Sequence, residues 1–214
     1  MILTPFWHME YNASYTGAGL LFYETESLYP LLIQPDADSL LRKEVKENQY
    51  LKINSESSRQ RVSQEIRKRI QFADEGFWSY YHSGNEKEKR LLLFYLVMKT
   101  YKMVYDFHFN VTVPRILSLE MEIDPYKYRM RLEEIASVEK NVAGWSEETW
   151  EKLITRYVYM LETAGLSAEN RLIKPDVPAE FYCFFVGKKE YWVLDSFFLK
   201  QYEKEAIIRD CNDN

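Results

Sequence analysis

The chain has 214 residues, of which 46% are hydrophobic and 29% charged, with a net charge of −5. Those values fit one large domain or two small ones sharing a core, and they exclude a disordered chain and a protein that coats nucleic acid over its whole surface. Aromatic residues reach 16%, with 17 Tyr, 12 Phe and 5 Trp, and such ring area reads first as core packing and only second as a base-stacking surface.

The first ten residues read as an arm or loosely attached leader, without the basic and long apolar regions of a signal peptide. SYTGAGLL at 14–21 leads into a helix over 20–32, which Pro30 and Pro35 limit. Asp36 or Asp38 can cap a helix running to about Asn48, with Leu40, Leu41 and Val45 buried. Ser57 and Gln60 have capping-box spacing, and Val62, Ile66, Ile70 and Ala73 follow on one helical face. Gly76 ends that helix or opens a turn, and the stretch from His82 to Glu86 reads as a loop.

From Glu86 to about Val113 the sequence is apolar on more than one face, which predicts a central helix packed on several sides. Its richest run, Leu91–Met98, is too short to span a bilayer, and Lys99, Lys102 and Asp106 interrupt its continuation. Pro114 breaks or kinks it, and 116–123 and 126–138 read as further helices. The clearest element is WSEETWEKLITRYVYMLETAG at 145–165: Ser146 caps it, an apolar stripe runs from Trp150 to Ala164, and Gly165 stands at the C′ position. Helix, glycine and a short strand at Leu172-Ile173 are how a winged helix begins its wing, and equally describe an ordinary turn. A helix from about Pro178 and a strand or helix near 191–199 complete the reading. The expected organisation is an N-terminal helical region, 1–85, and a central and C-terminal one, 86–214, around a shared core.

No catalytic or metal-binding spacing emerges. Gly17-Ala-Gly19 lacks the third glycine of a dinucleotide fingerprint, since position 22 is Phe, and reads as a turn or close packing. His8, His82 and His108 have no partner at i+3 or i+4, and His108 reads as a packed residue. Cys183 and Cys211, the second in a polar tail, imply no disulfide framework and fit a reducing compartment. The local charge is more telling. Residues 41–72 hold nine basic residues against four acidic ones, and Lys52, Arg59, Arg61, Arg67 and Lys68 are the candidate phosphate contacts. Ser57 and Ser58 add a helix start that welcomes phosphate, whereas Arg59 and Arg69 fall near the apolar stripe, so an ordinary solvated face competes with this reading.

Three stretches in order, YTGAGLLFYETESLYPLL, SSRQRVSQEIRKRI and WSEETWEKLITRYVYMLETAGL followed by RLIKP, give the chain a resemblance that spans about 11–199. It resembles the A subunit (BrxA) family of BREX bacteriophage-exclusion systems, once labelled inner-membrane proteins. The resemblance implies a mainly α protein with helical packing similar to the antitermination factor NusB, winged-helix-like parts and at most a short β element. It further implies an accessory component of phage defence that binds double-stranded DNA beside other BREX components, and the chain's own residues add the expectation of a cytoplasmic, non-enzymatic protein with no cofactor, small-molecule substrate or membrane. The hydropathy opposes the membrane label, and the acidic overall balance departs from a basic DNA binder. A protein-interaction subunit docking through the acidic C-terminal portion and the aromatic stretch FYCFFVGKKEYWVLDSFF is the alternative, and a metal-bearing cleft of carboxylates would mark an enzyme.

Overall fold

The computed structural model describes residues 9–213, so His8 and most of the expected leader lie outside the described residues. A 3-10 turn over Ser14–Gly17 is followed by α1 (Phe22–Leu32), which continues through Pro30 to its expected end. The α2 helix (Ala37–Glu47) stops where Asn48 turns left-handed, and α3 (Glu56–Ile70) runs back along it. Ser55 caps α3 by accepting the Ser58 N–H, so the cap lies two residues before the expected Ser57 box.

The α4 helix (Glu75–Ser83) was not expected, because its rings mask a periodic stripe and Gly76 reads as a breaker. Asp74 starts it, accepting the Phe77 N–H at 2.8 Å, and Gly76 sits inside its first turn. The central post is α5 (Glu86–Thr100), opened by a full capping box between Asn85 and Glu88. Every residue from Leu91 to Met98 is buried, as an apolar run with no polar side demands. The expected single helix to Val113 divides instead: Tyr101 is extended, α6 (Lys102–Phe107) resumes, and His108–Thr112 form a π-turn leading into α7 (Val113–Leu117). A proline ring ordinarily clashes with the carbonyl four residues back. Here the turn before Pro114 is widened, with the Val113 N–H reaching back five residues to the His108 carbonyl, so the proline is carried instead of breaking the rod.

Beyond α7 the expected helix over 116–123 gives way to a turn and an extended segment. The Ile123 N–H donates to the Asn170 carbonyl, and the Leu172 N–H to the Met121 carbonyl. Helices α8 (Pro125–Val138), α9 (Lys140–Ala143) and α10 (Glu147–Ala164) follow, then β1 (Ser167–Ala168) and β2 (Arg171–Leu172) pair antiparallel. Ser146 and the left-handed Gly165 bound α10 as its sequence foretells. The order helix, extended segment, helices, hairpin is that of a winged helix, with the tip at Glu169 and Asn170, both left-handed.

The C-terminal part holds α11 (Ala179–Gly187), α12 (Trp192–Ser196) and α13 (Gln201–Asp213). The last is a helix where a polar tail was expected, and it lies on α11. That packing brings Cys183 and Cys211 to a Cα separation of 5.3 Å, where they form a disulfide, although the sequence implied no disulfide framework and a reducing compartment. One continuous apolar cluster joins residues from Tyr11 to Ile207. No helix of the described residues is long and apolar enough to cross a membrane.

The core includes a fully buried polar chain. His108 bonds the Ser196 carbonyl through Nε2 at 2.7 Å and the Tyr157 hydroxyl through Nδ1 at 2.8 Å, while Tyr157 also meets Thr112 at 2.6 Å. Since a carbonyl only accepts, Nε2 carries the proton of the neutral ring. Burial pushes the imidazole pKa down to about 4. The unfolded chain, with an ordinary histidine, therefore binds a proton that the folded one refuses between about pH 6.5 and 4. Stability falls across that window on acidification, by up to about 3 kcal/mol at its lower end. Thermal melts between pH 7 and 4.5 should show the loss, and His108→Gln should flatten it; equal slopes for both proteins would contradict the assignment.

Candidate nucleic-acid interface

The antiparallel helices α2 and α3 build the basic face. Their register is fixed by the Ser63 hydroxyl, which donates to the Leu41 carbonyl, and by the Arg59 Nε, which donates to that of Val45. The connection between them is wound around the buried Glu44 carboxylate, which accepts the N–H groups of Gln49, Tyr50 and Leu51 at 2.8–3.1 Å. Lys52 projects from this loop with a left-handed backbone (φ 50°), exposed and without an ion-pair partner among the described residues.

The other predicted residues divide sharply. Arg59 is buried at 8% exposure, and besides Val45 its guanidinium donates to the carbonyls of Ile53 (2.6 Å) and Asn54 (3.0 Å). It is a brace for the α2–α3 connection. Its 100°-per-residue position explains this: it faces the stripe of Val62 and Ile66, opposite Arg61 and Lys68. Arg61 is exposed and has no ion-pair partner among the described residues; its Cδ passes 3.2 Å from the point where a Cβ on Gly17 would stand. Arg67 is half-buried and bonded to Asp38, whose carboxyl is held below the usual range by Arg67 first and by Arg42 as well. Lys68 is exposed, with its ammonium 2.6 Å from Glu65. The buried Glu65 also accepts the Tyr101 hydroxyl.

The structure thus brings Arg61 and Lys68 onto one outward strip two turns apart, sets Arg67 beside them, and leaves Lys52 beyond the other end of a helix about 22 Å long. Of the bases in 41–72 only Arg59 and Arg69 are buried, and of the acids only Glu44 and Glu65. Seven bases face solvent against Glu47 and Glu56. Among the described residues no His, Cys, Asp and Glu group could hold a metal ion.

Sequence reasoning missed what underlies this face. Arg69, 4% exposed, reaches across to donate to the carbonyls of Gly19 (2.7 Å) and Leu20 (2.8 Å). From α10, Arg156 Nε donates to the Thr16 carbonyl at 3.1 Å. Gly19 is left-handed (φ 63°), and a Cβ there would stand 3.6 Å from Arg156 Nη1 and 3.7 Å from Tyr159 Cε1. The glycine turn is therefore a crossing point for arginines of two helices; the signal was the Gly-Ala-Gly spacing itself, which reads as a turn or close packing without naming the partners.

A basic helical hairpin set on a mainly helical body with one short two-stranded sheet defines the class of fold. The model of the BrxA family matches residues 9–186, so the chain belongs to the BrxA family. A BREX protein BrxA from Bacillus cereus (strain H3081.97) is 20% identical over 155 residues, covering 72% of this chain and 78% of that one. The crystal structure of an uncharacterized protein from Magnetospirillum magneticum superposes with a TM-score of 0.73 at 17% identity, covering 88% of this chain and 98% of the other, and so shares the fold. Family membership implies a part in BREX phage defence.

Arg59→Ala strands three carbonyls that a charged donor now satisfies. It should cost about 3 kcal/mol in urea unfolding, whereas Arg61→Ala, on the open face, should stay within about 0.5 kcal/mol. Equal effects would refute the division between brace and surface residue.

Proposed function

We propose that this BrxA-family protein is a non-enzymatic accessory component of a BREX system that binds double-stranded DNA through its phosphates, beside other BREX components. The observation that carries the reading is the seven-to-three excess of solvent-facing bases over acids (Asp38, Glu47 and Glu56) on the α2–α3 hairpin of a chain whose net charge is −5. An acidic body with one basic face orients a polyanion: the remainder repels DNA and the hairpin receives it. Lys52 and Arg61, neither held in an internal ion pair, are the primary contacts; Arg67 and Lys68 exchange Asp38 and Glu65 for phosphate, and Arg59 holds the loop beneath them. Contacts of this kind set position and affinity without reading sequence.

The alternative, docking of a protein partner on the aromatic stretch 181–198, loses support because Phe181, Tyr182, Phe185, Phe197 and Phe198 are all in the core.

Four phosphate contacts weaken duplex binding about a hundredfold between 50 and 200 mM salt. A salt-series mobility shift should show that slope, and the triple reversal Arg61→Glu, Arg67→Glu, Lys68→Glu should remove binding while a thermal melt confirms folding. Undiminished binding by the reversed protein would overturn the site.

A further inference from the structure

Nearly all the large aromatics are interior, and the exposed tyrosines are few. Tyr23 on α1 and Tyr159 on α10 are 72% and 50% exposed, and each has an arginine guanidinium against its ring, Arg90 at 5.6 Å and Arg156 at 5.7 Å from the ring centre. The two pairs are joined by a short chain of contacts. Arg90 donates to the Thr163 carbonyl at 3.0 Å and lies 3.4 Å from the Tyr23 hydroxyl, while the Thr163 hydroxyl donates to the Tyr159 carbonyl at 3.0 Å, one helical turn away. On the other side Tyr159 and Arg156 lean on Gly19, and Arg61 crosses Gly17. The turn between them carries no side chain tall enough to separate Arg61 from Arg156. The result is one surface strip, with guanidinium groups and open rings in alternation, running from α3 over the glycine turn to α10 and α1.

We propose that this strip binds a single-stranded segment of nucleic acid, with Tyr159 and Tyr23 as stacking platforms for unpaired bases and Arg61 and Arg156 as contacts for the phosphates between them.

Alternation of cation and ring is the arrangement that single strands select, because every base offers a face to stack and every linkage a charge. A duplex cannot use the rings, since its base faces are hidden in the stack. The guanidiniums also hold the rings in place: Arg90 is itself clamped over Phe22 at 4.1 Å, so Tyr23 is presented on a fixed base. Carboxylates facing the strip limit its charge. Glu86 pairs with Arg90 (2.7 Å) and Glu148 with Lys152 (2.6 Å), and Glu151 borders the groove beside Tyr159 from the far shoulder of α10. Stacking therefore carries more of the affinity here than on the α2–α3 face, and the salt dependence is shallower.

The inference shares with the preceding reading the ligand class and Arg61, but its rings belong to it alone. Fluorescence anisotropy with a labelled oligothymidylate and a labelled duplex of equal length, on the whole protein, separates the two. Tyr23→Ala with Tyr159→Ala should weaken single-strand binding about tenfold or more and leave duplex binding within about twofold, whereas Tyr23→Phe with Tyr159→Phe, which keeps the rings, should retain both. If the double alanine variant melts several degrees low, Tyr159→Ala alone carries the same comparison. No single-strand binding by the unaltered protein, or binding indifferent to the alanine changes, overturns this inference. Loss of duplex binding alone, with oligothymidylate still held in a ring-dependent way, overturns the preceding reading and leaves this one standing.

Discussion

The buried Arg69 guanidinium ties the structure together. A charge this deep is costly unless its donors are met, and Arg69 meets two of them with the carbonyls of Gly19 and Leu20, with the Tyr101 ring 5.8 Å away. One side chain thereby joins α3, the glycine turn and the end of α5. Its Nε has no partner among the described residues, so the satisfaction is incomplete and the geometry has little slack. The same tie presses the turn against α10, where Arg156 secures it from the other side through Thr16. It thus adds a directional polar tie to the apolar core that the basic hairpin and the helix carrying Tyr159 already share.

Much of the frame was legible because it follows from local rules. Ser146, the stripe from Trp150 to Ala164 and Gly165 specify α10 from start to end, and the all-round apolar run at Leu91–Met98 specifies a helix packed on every side. What escaped depended on partners distant in sequence. The α4 helix is set by Asp74 and by rings stacked on other elements, such as Tyr80 on Phe184, and has no clean stripe of its own. The disulfide depends on α13 lying on α11, which no spacing of two cysteines 28 residues apart reveals.

The candidate site shows the same division within one helix. Periodicity placed Arg59 and Arg69 near the apolar stripe, yet Arg59 still stood among the expected phosphate contacts, and only its three carbonyl partners mark it as a brace. Composition alone counted all of them as available charge. Burial removes two arginines from the face, yet it also removes Glu44 and Glu65, so the local positive excess survives folding unchanged. The carboxylates withdrawn from solvent are those that shape the loop and receive Tyr101, which is why the excess and the architecture are not independent.

The π-turn at His108–Thr112 bears on the far end of the molecule. A regular helix meeting Pro114 would bend, and everything beyond would swing with it. The surplus residue lets Asp106–His108 and Val111–Val113 face inward as unbroken triplets, so that stretch is gripped by the core over a broad arc. The segment from Lys102 to Leu117 consequently works as a stiff axle, and the extended segment Met121–Ile123, which bridges to the wing at Arg171, departs from an anchored shaft in place of a joint. The wing's aim is set in the protein's interior, by a ring and two hydroxyls closed off from solvent.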